Sequence, residues 1–215
     1  MTTKKEIVLK YLIDLIVSKK KKPNEIMPSE GYLMLRFKIS RITAINAYKK
    51  LEAIGAVYNI SKQGRFVAEN FFGLIKPFSF SFPINKVTIN KIYKKEPKWF
   101  KDFNIIFDYG YAVFQKQYFK NSEEIMMSEN FISKKYNIPK TFNDTFSFTN
   151  FLLEKENYLK NTVYKLRYEK VNMYGFEYLV VVYSWSYDEE GIAIASRFVV
   201  KPKYFQFSHQ EKNLF

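Results

Sequence analysis

A helix followed directly by a glycine-tipped hairpin is the feature that most constrains the fold of this chain. It lies in residues 40–69, which read SRITAINAYKKLEAIGAVYNISKQGRFVAE. Ser40 is a typical helix N-cap, and Gly55 suits the position just after a helix, where a positive φ is required. The segments AVYNI and RFVAE alternate around Gly64, which predicts a two-stranded hairpin with a glycine in its tip.

Two further helices are predicted before this unit. Residues 4–18 carry apolar side chains at helical spacing, and Pro23 stops any continuation of that helix. Ser29 is the expected N-cap of a short helix that ends near Phe37. Two helices joined by a short turn and followed by a hairpin form a winged helix-turn-helix. In such a unit the second helix enters a major groove, and the hairpin follows the backbone or the minor groove.

The charge of the chain favours a polyanionic partner. Its 215 residues carry a formal net charge of +14; residues 1–69 hold 14 Lys and Arg against 6 Asp and Glu, or +8. The remaining 146 residues contribute only +6, with 21 basic and 15 acidic residues. A basic N-terminal third is typical of nucleic-acid binding, although a coding bias toward Lys would also raise the charge.

Composition also excludes several classes of protein. The chain has no Cys, so disulfide scaffolds, thiolate metal sites and thiol nucleophiles are ruled out. With 47% apolar and 19% aromatic residues, it is expected to fold into a substantial core. No signal peptide or spanning segment is visible, and the single His has no partner pattern for catalysis or metal binding. We therefore expect a soluble, cytoplasmic protein with no membrane partner, no catalytic residues, no metal and no cofactor.

Residues 27–69 resemble the DNA-binding domain of GntR-family transcription regulators. The family pattern begins L-P-S-E-R, continues through S-R-x-T-V-R to L-x-x-x-G, and closes with the wing motif G-x-G-T-F-V. The positions that match it in register are Pro28, Ser29, Glu30, Leu33, Ser40, Arg41, Thr43, Ala47, Leu51, Gly55, Gly64, Phe66 and Val67. The resemblance implies a DNA-binding regulator that meets double-stranded operator DNA.

Three positions depart from the family pattern. The Arg after S-E is Gly31, the Arg of T-V-R is Ile45, and the first wing glycine is Lys62. Arg41 is thus the one recognition arginine that remains, and a wing that has lost DNA binding is the alternative interpretation. The residues expected to contact DNA, carried over or nearby, are Ser29, Arg36, Lys38, Ser40, Arg41, Ile42, Thr43, Ile45, Asn46, Lys49, Lys62, Gly64 and Arg65.

Two isoleucines lie on the side of this helix that should face DNA. Ile42 is expected opposite the core face formed by Ala44, Ala47 and Leu51, and Ile45 flanks it. An apolar side chain in a major groove can contact thymine methyl groups. The alternative is a single exposed apolar residue without a role, which is common on protein surfaces.

The remaining two thirds of the chain change in character. Residues 70–80 are expected to be a linker and residues 81–215 a second domain, after a DNA-binding domain at 1–69. Helices are predicted near 95–103 and 147–157, in an α+β antiparallel sheet with its helices on one side. The predicted strands cover residues 109–119, 123–132, 162–171, 175–188, 192–200 and 204–209.

This second region resembles the UTRA effector domain of HutC-type GntR regulators, which shares its fold with chorismate lyases. The segments that carry the resemblance are FQKQYFKNSEEIMMSENFIS, FSFTNFLLEK and VVKPKYFQFS. Such domains bind small anions, often sugar phosphates, and control a dimer of DNA-binding heads. The effector positions carried over are Ser79 or Ser81, Lys116, Tyr118, Ser128 (or Glu129 if the register slips), Ser147, Thr149, Lys201 and Lys203.

The sequence therefore predicts a dimeric regulator, acting as a repressor at a palindromic operator and sensing a small anionic metabolite such as a sugar phosphate. Lys at 116, 201 and 203 should make the effector pocket strongly cationic, because lysine binds phosphate as a point charge. Two alternatives stay open. One is a constitutive DNA-binding homodimer whose C-terminal domain senses nothing, and the other is an enzyme of the chorismate-lyase type.

Overall fold

A computed structural model of the chain describes residues 3–69, 78–156 and 159–207. The chain forms two compact units, one made of the residues up to Ser81 and the other of Phe82–Gln206. Most of the expected linker, residues 70–77, lies outside the described residues. The two units are described separately.

In residues 3–69 the first unit contains three α-helices, each started by a side-chain cap. Helix α1 spans Lys4–Val17, α2 spans Glu30–Phe37 and α3 spans Arg41–Ala53. Thr3 and Glu6 cap α1 reciprocally, while the hydroxyl groups of Ser29 and Ser40 accept hydrogen bonds from the third N–H groups of α2 and α3. The caps satisfy backbone donors that would otherwise have no partner, so the predicted boundaries are confirmed.

A small hairpin, the wing, follows α3. Strand β1 covers Val57–Ile60 and β2 covers Gly64–Val67, with the antiparallel register Val57↔Val67 and Ile60↔Gly64. Gly55 and Gly64 have φ of +72° and +115°, values that favour glycine. The outer edge of β2 is covered by residues 24–27, because Met27 N–H donates to the Arg65 carbonyl at 2.8 Å and Val67 N–H to the Glu25 carbonyl at 3.0 Å.

One apolar core holds the helices and the wing together. The inner face of α3, predicted from its helical spacing, is fully buried and contributes Ala44, Ala47, Tyr48 and Leu51. Helix α1 adds Leu12 and Ile16 among others, and the wing adds Val57 and Val67. Burial of one apolar stripe from each element is what fixes the helix-turn-helix geometry.

The second unit is built on a six-stranded antiparallel sheet in the order β3-β4-β5-β8-β7-β6. The strands are β3 (Lys86–Ile92), β4 (Tyr111–Lys120), β5 (Glu123–Ser133), β6 (Asn161–Met173), β7 (Phe176–Tyr187) and β8 (Ile192–Val200). Consecutive strands pair with each other except β5 and β6: the chain crosses from β5 to the edge strand β6 and returns through β7 to β8, which pairs with both β5 and β7. The α+β class predicted from the sequence is confirmed.

Helices cover both faces of this sheet, so the prediction that they lie on one side is wrong. Helix α4 spans Lys98–Phe103, and its Trp99 and Phe100 pack against Phe131. Helix α5 spans Phe148–Glu156 and packs in the same core cluster as Ile132. Neighbouring residues of a strand point to opposite faces, which places the two helices on opposite sides.

The structure differs from the predicted strands at two places. Strand β3 is absent from the prediction, because its sequence KVTINKI carries polar residues typical of an edge strand. The strand expected at 204–209 is not formed in its described part: Pro202–Tyr204 is a short 3₁₀ helix and residues 205–207 are irregular. Proline at 202 cannot donate to a strand ladder and favours the helical start.

Candidate functional site: a DNA-facing helix and a buried cation

The outer side of α3 carries the residues that the sequence assigned to DNA. The side chain of Arg41 is 74% exposed, Ile42 is 70% exposed, and Lys49 is exposed on the same helix. Ile45 and Asn46 are half-buried, so Ile42 is the better placed of the two isoleucines for a thymine methyl group. Thr43, also half-buried, lies beside the Ser40 cap, with their hydroxyl oxygens 2.9 Å apart.

An ion-pair network lies behind this surface and connects three elements. Glu30, at the start of α2, pairs with Arg41 of α3 at 3.1 Å and with Arg65 of the wing at 2.9 Å. Arg65 also pairs with Glu52 of α3 at 2.5 Å. Although burial opposes ionisation, the two arginines hold the pKa of Glu30 below its usual value. Glu30 therefore stays charged and holds the exposed Arg41 side chain in an ion pair.

Arg65 has a structural position, which corrects its assignment as a DNA contact. Its side chain is only 18% exposed, both carboxylates occupy its guanidinium, and that group stacks on the Tyr48 ring at 4.5 Å. Tyr48 is itself buried and donates to the carbonyl of Pro28. A guanidinium held by two carboxylates and an aromatic face is not free to bind phosphate.

The other residues predicted to contact DNA are either exposed cations or residues that cap a helix or turn the backbone. Lys62 is exposed at the wing tip with a φ of +63°, next to Gly64. Lys38 is exposed at the end of α2, where its φ is +49°. Arg36 is exposed, donates to the Tyr32 hydroxyl at 2.9 Å and lies 4.9 Å from the centre of the Tyr11 ring. Ser29 and Ser40 serve as the helix caps described above.

In the second unit, Lys116 of β4 is the predicted effector residue with the most unusual surroundings. It is 3% exposed, its ammonium donates to the carbonyl of Phe146, and it lies 4.6 Å from the centre of the Tyr118 ring. Within the described part of the chain no carboxylate pairs with it. Burial therefore lowers the pKa of Lys116 to about 7.

A buried polar chain continues from this position across the same face of the sheet. The Tyr118 hydroxyl lies 3.0 Å from the Ser128 hydroxyl, which also accepts from the Asn130 amide at 2.8 Å. Ser196 of β8 then donates to Asn130 at 2.9 Å. Sequence reasoning missed Asn130 and Ser196. These two polar residues are paired across β5 and β8, and such a pairing can be recognised only once the strand register is known.

Strand register places Ser128, and not Glu129, on the face of the sheet that carries Lys116. Ser128 pairs with Lys116, and paired residues share a face of the sheet. Glu129 therefore points to the opposite face, where it forms an ion pair with Lys94.

Lys201 and Lys203 share one carboxylate partner, so they carry less unpaired charge than the expected cationic pocket requires. Both bind Glu123, at 2.5 and 2.8 Å, and the Tyr204 hydroxyl donates to the same carboxylate at 2.6 Å. Hydrogen bonds from Lys201, Lys203 and Tyr204 lower the pKa of Glu123 to about 2. Local sequence around Glu123 gives no sign of these contacts, because its partners lie about eighty positions away along the chain.

The remaining effector positions lie at chain turns. The Ser147 hydroxyl accepts from Asn150 N–H at 3.3 Å and so caps α5, with Thr149 half-buried in the first turn. Ser147 directly follows Phe146, whose carbonyl holds Lys116, so these two predicted positions are neighbours. Ser79 and Ser81 lie in the short 3₁₀ helix Phe78–Ser81, which belongs to the first compact unit.

Among the described residues no group of three or more His, Cys, Asp or Glu side chains is arranged to hold a metal ion. The helices of the described chain are all too short or too polar to cross a bilayer.

Residues 4–67 match the family model described as "Bacterial regulatory proteins, gntR family". The N-terminal domain belongs to the gntR family. The members of this family are regulatory proteins, so the prediction of a DNA-binding transcription regulator is confirmed. No curated protein matches the sequence.

Solved structures extend the similarity beyond the gntR-family domain. The possible transcriptional regulator YydK from Bacillus subtilis subsp. subtilis str. 168 is 16% identical, with a TM-score of 0.67 over 98% of this chain and 100% of that one. This likeness shows that the two chains share a fold. PhnF from Mycobacterium smegmatis is 10% identical, with a TM-score of 0.48 over 95% of this chain and 99% of that one.

A third solved structure covers the DNA-binding part alone. AraR(DBD), solved in complex with operator ORR3, is 32% identical with a TM-score of 0.31, over 32% of this chain and 82% of that one.

The two ion pairs of Arg65 predict that replacing this residue lowers the stability of the first unit. Arg65→Met keeps most of the packing on Tyr48 but removes both ion pairs, so we expect the free energy of unfolding of the first unit to fall by about 1–3 kcal/mol. Lys62→Met, at the exposed wing tip, is the matched control and should change it by less than about 0.5 kcal/mol. Urea denaturation followed by circular dichroism measures the change caused by each substitution. Equal effects of the two substitutions would contradict the structural role of Arg65.

Burial of Lys116 predicts a dependence of stability on pH. Unfolding returns its pKa from about 7 toward 10.5, so between these values the unfolded chain binds more protons and stability rises with pH. The slope contributed by one such group is at most about 1.4 kcal/mol per pH unit. Lys116→Met removes the titrating group, and its unfolding free energy should lack this slope. Parallel pH profiles for the two proteins would show that Lys116 titrates normally.

Proposed function

We propose that the protein is a cytoplasmic, metabolite-responsive repressor that binds a palindromic operator as a homodimer. The observation that carries the proposal is the gntR-family domain with an intact groove-facing surface, in which Arg41 and Ile42 are exposed and Glu30 orients the arginine. Operators of such dimers mirror the two-fold symmetry of the protein. The charge of +8 in residues 1–69 supports attraction to DNA phosphates.

Within this surface we assign different roles to the arginine and the lysines. Arg41 lies at the N-terminal end of α3, where a recognition helix meets base edges, and an arginine can bind guanine bidentately. Lys38, Lys49 and Lys62 are exposed point charges, which suits phosphate contacts that carry no sequence information. Ile42 supplies an apolar surface between them for a thymine methyl group.

For the C-terminal domain we propose that it senses a small anion, of the sugar-phosphate class, near Lys116, Tyr118, Ser128, Ser147 and Thr149. The proposal is supported by the resemblance to HutC-type effector domains and by a cation buried beside a helix start. The alternative of a constitutive DNA-binding dimer is favoured by one observation: Lys201 and Lys203 already share Glu123 as an ion-pair partner.

The exposed β6–β7 hairpin offers a surface for the second copy of the dimer. Tyr168 is 74% exposed, its ring stacks on that of Tyr178 at 5.7 Å, and Phe176 is exposed beside them. Exposed aromatic groups of this kind are enriched where proteins associate.

Arg41→Ala should weaken binding to the operator by about 1–3 kcal/mol and leave binding to a scrambled duplex nearly unchanged. Lys62→Ala should weaken both duplexes alike, because a phosphate contact is independent of sequence. A mobility-shift titration at fixed salt measures both effects, and its stoichiometry should be two chains per operator. Equal losses on both duplexes for Arg41→Ala would remove the base-reading role.

Replacing single thymines of the half-site by deoxyuridine removes only the methyl group. At the thymine that Ile42 contacts, we expect wild-type affinity to fall measurably, whereas Ile42→Ala should not respond to the same replacement. Ile45→Ala is the matched control, and it should keep the wild-type response because Ile45 is half-buried. If wild-type protein ignores every replacement, Ile42 does not read a methyl group; if only Ile45→Ala loses the response, Ile45 is the reader.

Phosphorylated sugars should raise the melting temperature of the protein by mass action and release it from the operator, whereas their unphosphorylated parents should do neither. Lys116→Ala should abolish both responses, and Lys101→Ala, on the opposite face of the sheet, should preserve them. A protein whose melting temperature and operator affinity ignore every anion would be the constitutive dimer instead.

A further inference from the structure

A wide cleft of about 870 Å³ opens in the second unit, between edge strand β3 and the chain segment 133–142. Its volume is in the range of small-molecule sites in proteins. None of the effector positions carried over from the family resemblance lines it. Its floor is formed by Ile89, Ala112 and Phe114, which share one face of the sheet according to the strand register.

Aromatic and aliphatic side chains form part of the wall of the cleft. Phe142 packs edge-on against Phe114, with 5.9 Å between ring centres, and against Phe146 at 4.8 Å. Ile138 and Pro139 continue the wall along the same segment. Aromatic and aliphatic surfaces held by such packing bind the body of an organic ligand without the cost of ordering it.

The rim of the cleft is positively charged. Lys91, Lys134 and Lys140 line it, and none of the described lining residues is Asp or Glu. Within the described ranges these three lysines form no ion pair, in contrast to Lys135, which binds Asp188. Amide and hydroxyl groups lie between the lysines, from Asn90, Asn137, Thr88 and Thr141. An apolar floor below unneutralised cations favours a molecule with a hydrophobic body and a negative end.

We propose that this cleft binds a small organic anion, a carboxylate or phosphate ester carried on a ring-shaped apolar body. The ring lies on Phe114 and Phe142, and the anionic group meets the lysine rim. A bare inorganic anion lacks the body that the floor accommodates, and a neutral ring lacks the charge that the rim attracts. Any effect of such a ligand on DNA binding rests on the sensing role proposed above, whereas its binding does not.

Calorimetric titration of the full chain with three matched probes tests the proposal. The probes are 2-naphthoate, with ring and charge; 2-naphthalenemethanol, with the ring alone; and inorganic phosphate, with the charge alone. We expect 2-naphthoate to bind most tightly. Lys134→Glu and Lys140→Glu should each weaken its binding by about 5- to 10-fold, since each reverses one exposed charge. Lys101→Glu, an exposed lysine on α4, reverses the same charge away from the cleft and should leave binding unchanged.

Equal weakening in all three variants would show a general charge effect and overturn the site, as would no binding of 2-naphthoate at millimolar concentration. Operator titrations with and without 2-naphthoate separate this inference from the proposed function. If 2-naphthoate binds in the cleft and operator affinity stays constant, the cleft stands and the sensing role does not extend to it. If phosphorylated sugars release the operator and Lys134→Glu and Lys140→Glu respond like wild type, the sensing role stands and the effector site is elsewhere.

Discussion

The DNA-binding unit depends on one side chain, that of Arg65. It lies in the wing, pairs with Glu30 of α2 and Glu52 of α3, and stacks on Tyr48. Each element of the unit is small, and the wing has only four residues in each strand. The partly buried guanidinium links the wing to α2 and α3 through directional hydrogen bonds, which add to the apolar core that the helices and the wing share. The same network leaves Arg41 oriented and exposed.

The sheet domain places its polar groups differently. Lys116 and the chain from Tyr118 to Ser196 are buried among apolar residues, and their hydrogen bonds are satisfied by neighbouring strands and by the segment before α5. A buried lysine without a carboxylate is costly, which is why its pKa falls. Such groups concentrate where proteins bind ligands, and this one lies beside a helix start.

Local patterns allowed much of the fold to be predicted. Capping residues Ser29 and Ser40 and the spacing of Ala44, Ala47 and Leu51 fixed the helices of the first unit, because these signals act within a few residues. Strand β3 escaped prediction since an edge strand lacks the apolar alternation of a central one. The place of the helices on both faces followed from the packing of Phe131 and Ile132, which no local pattern encodes.

The sequence by itself determined the winged helix and the α+β class, because helical periodicity and turn chemistry are properties of short segments. Only the tertiary structure decided which charged side chains are buried and which form ion pairs. Arg65 became internal, and Lys201 and Lys203 met Glu123 across about eighty residues. Lys116 is buried away from water, and among the described residues no carboxylate pairs with it. Electrostatic roles depend on distances in space and on burial, and both are set by long-range packing that residue spacing does not contain.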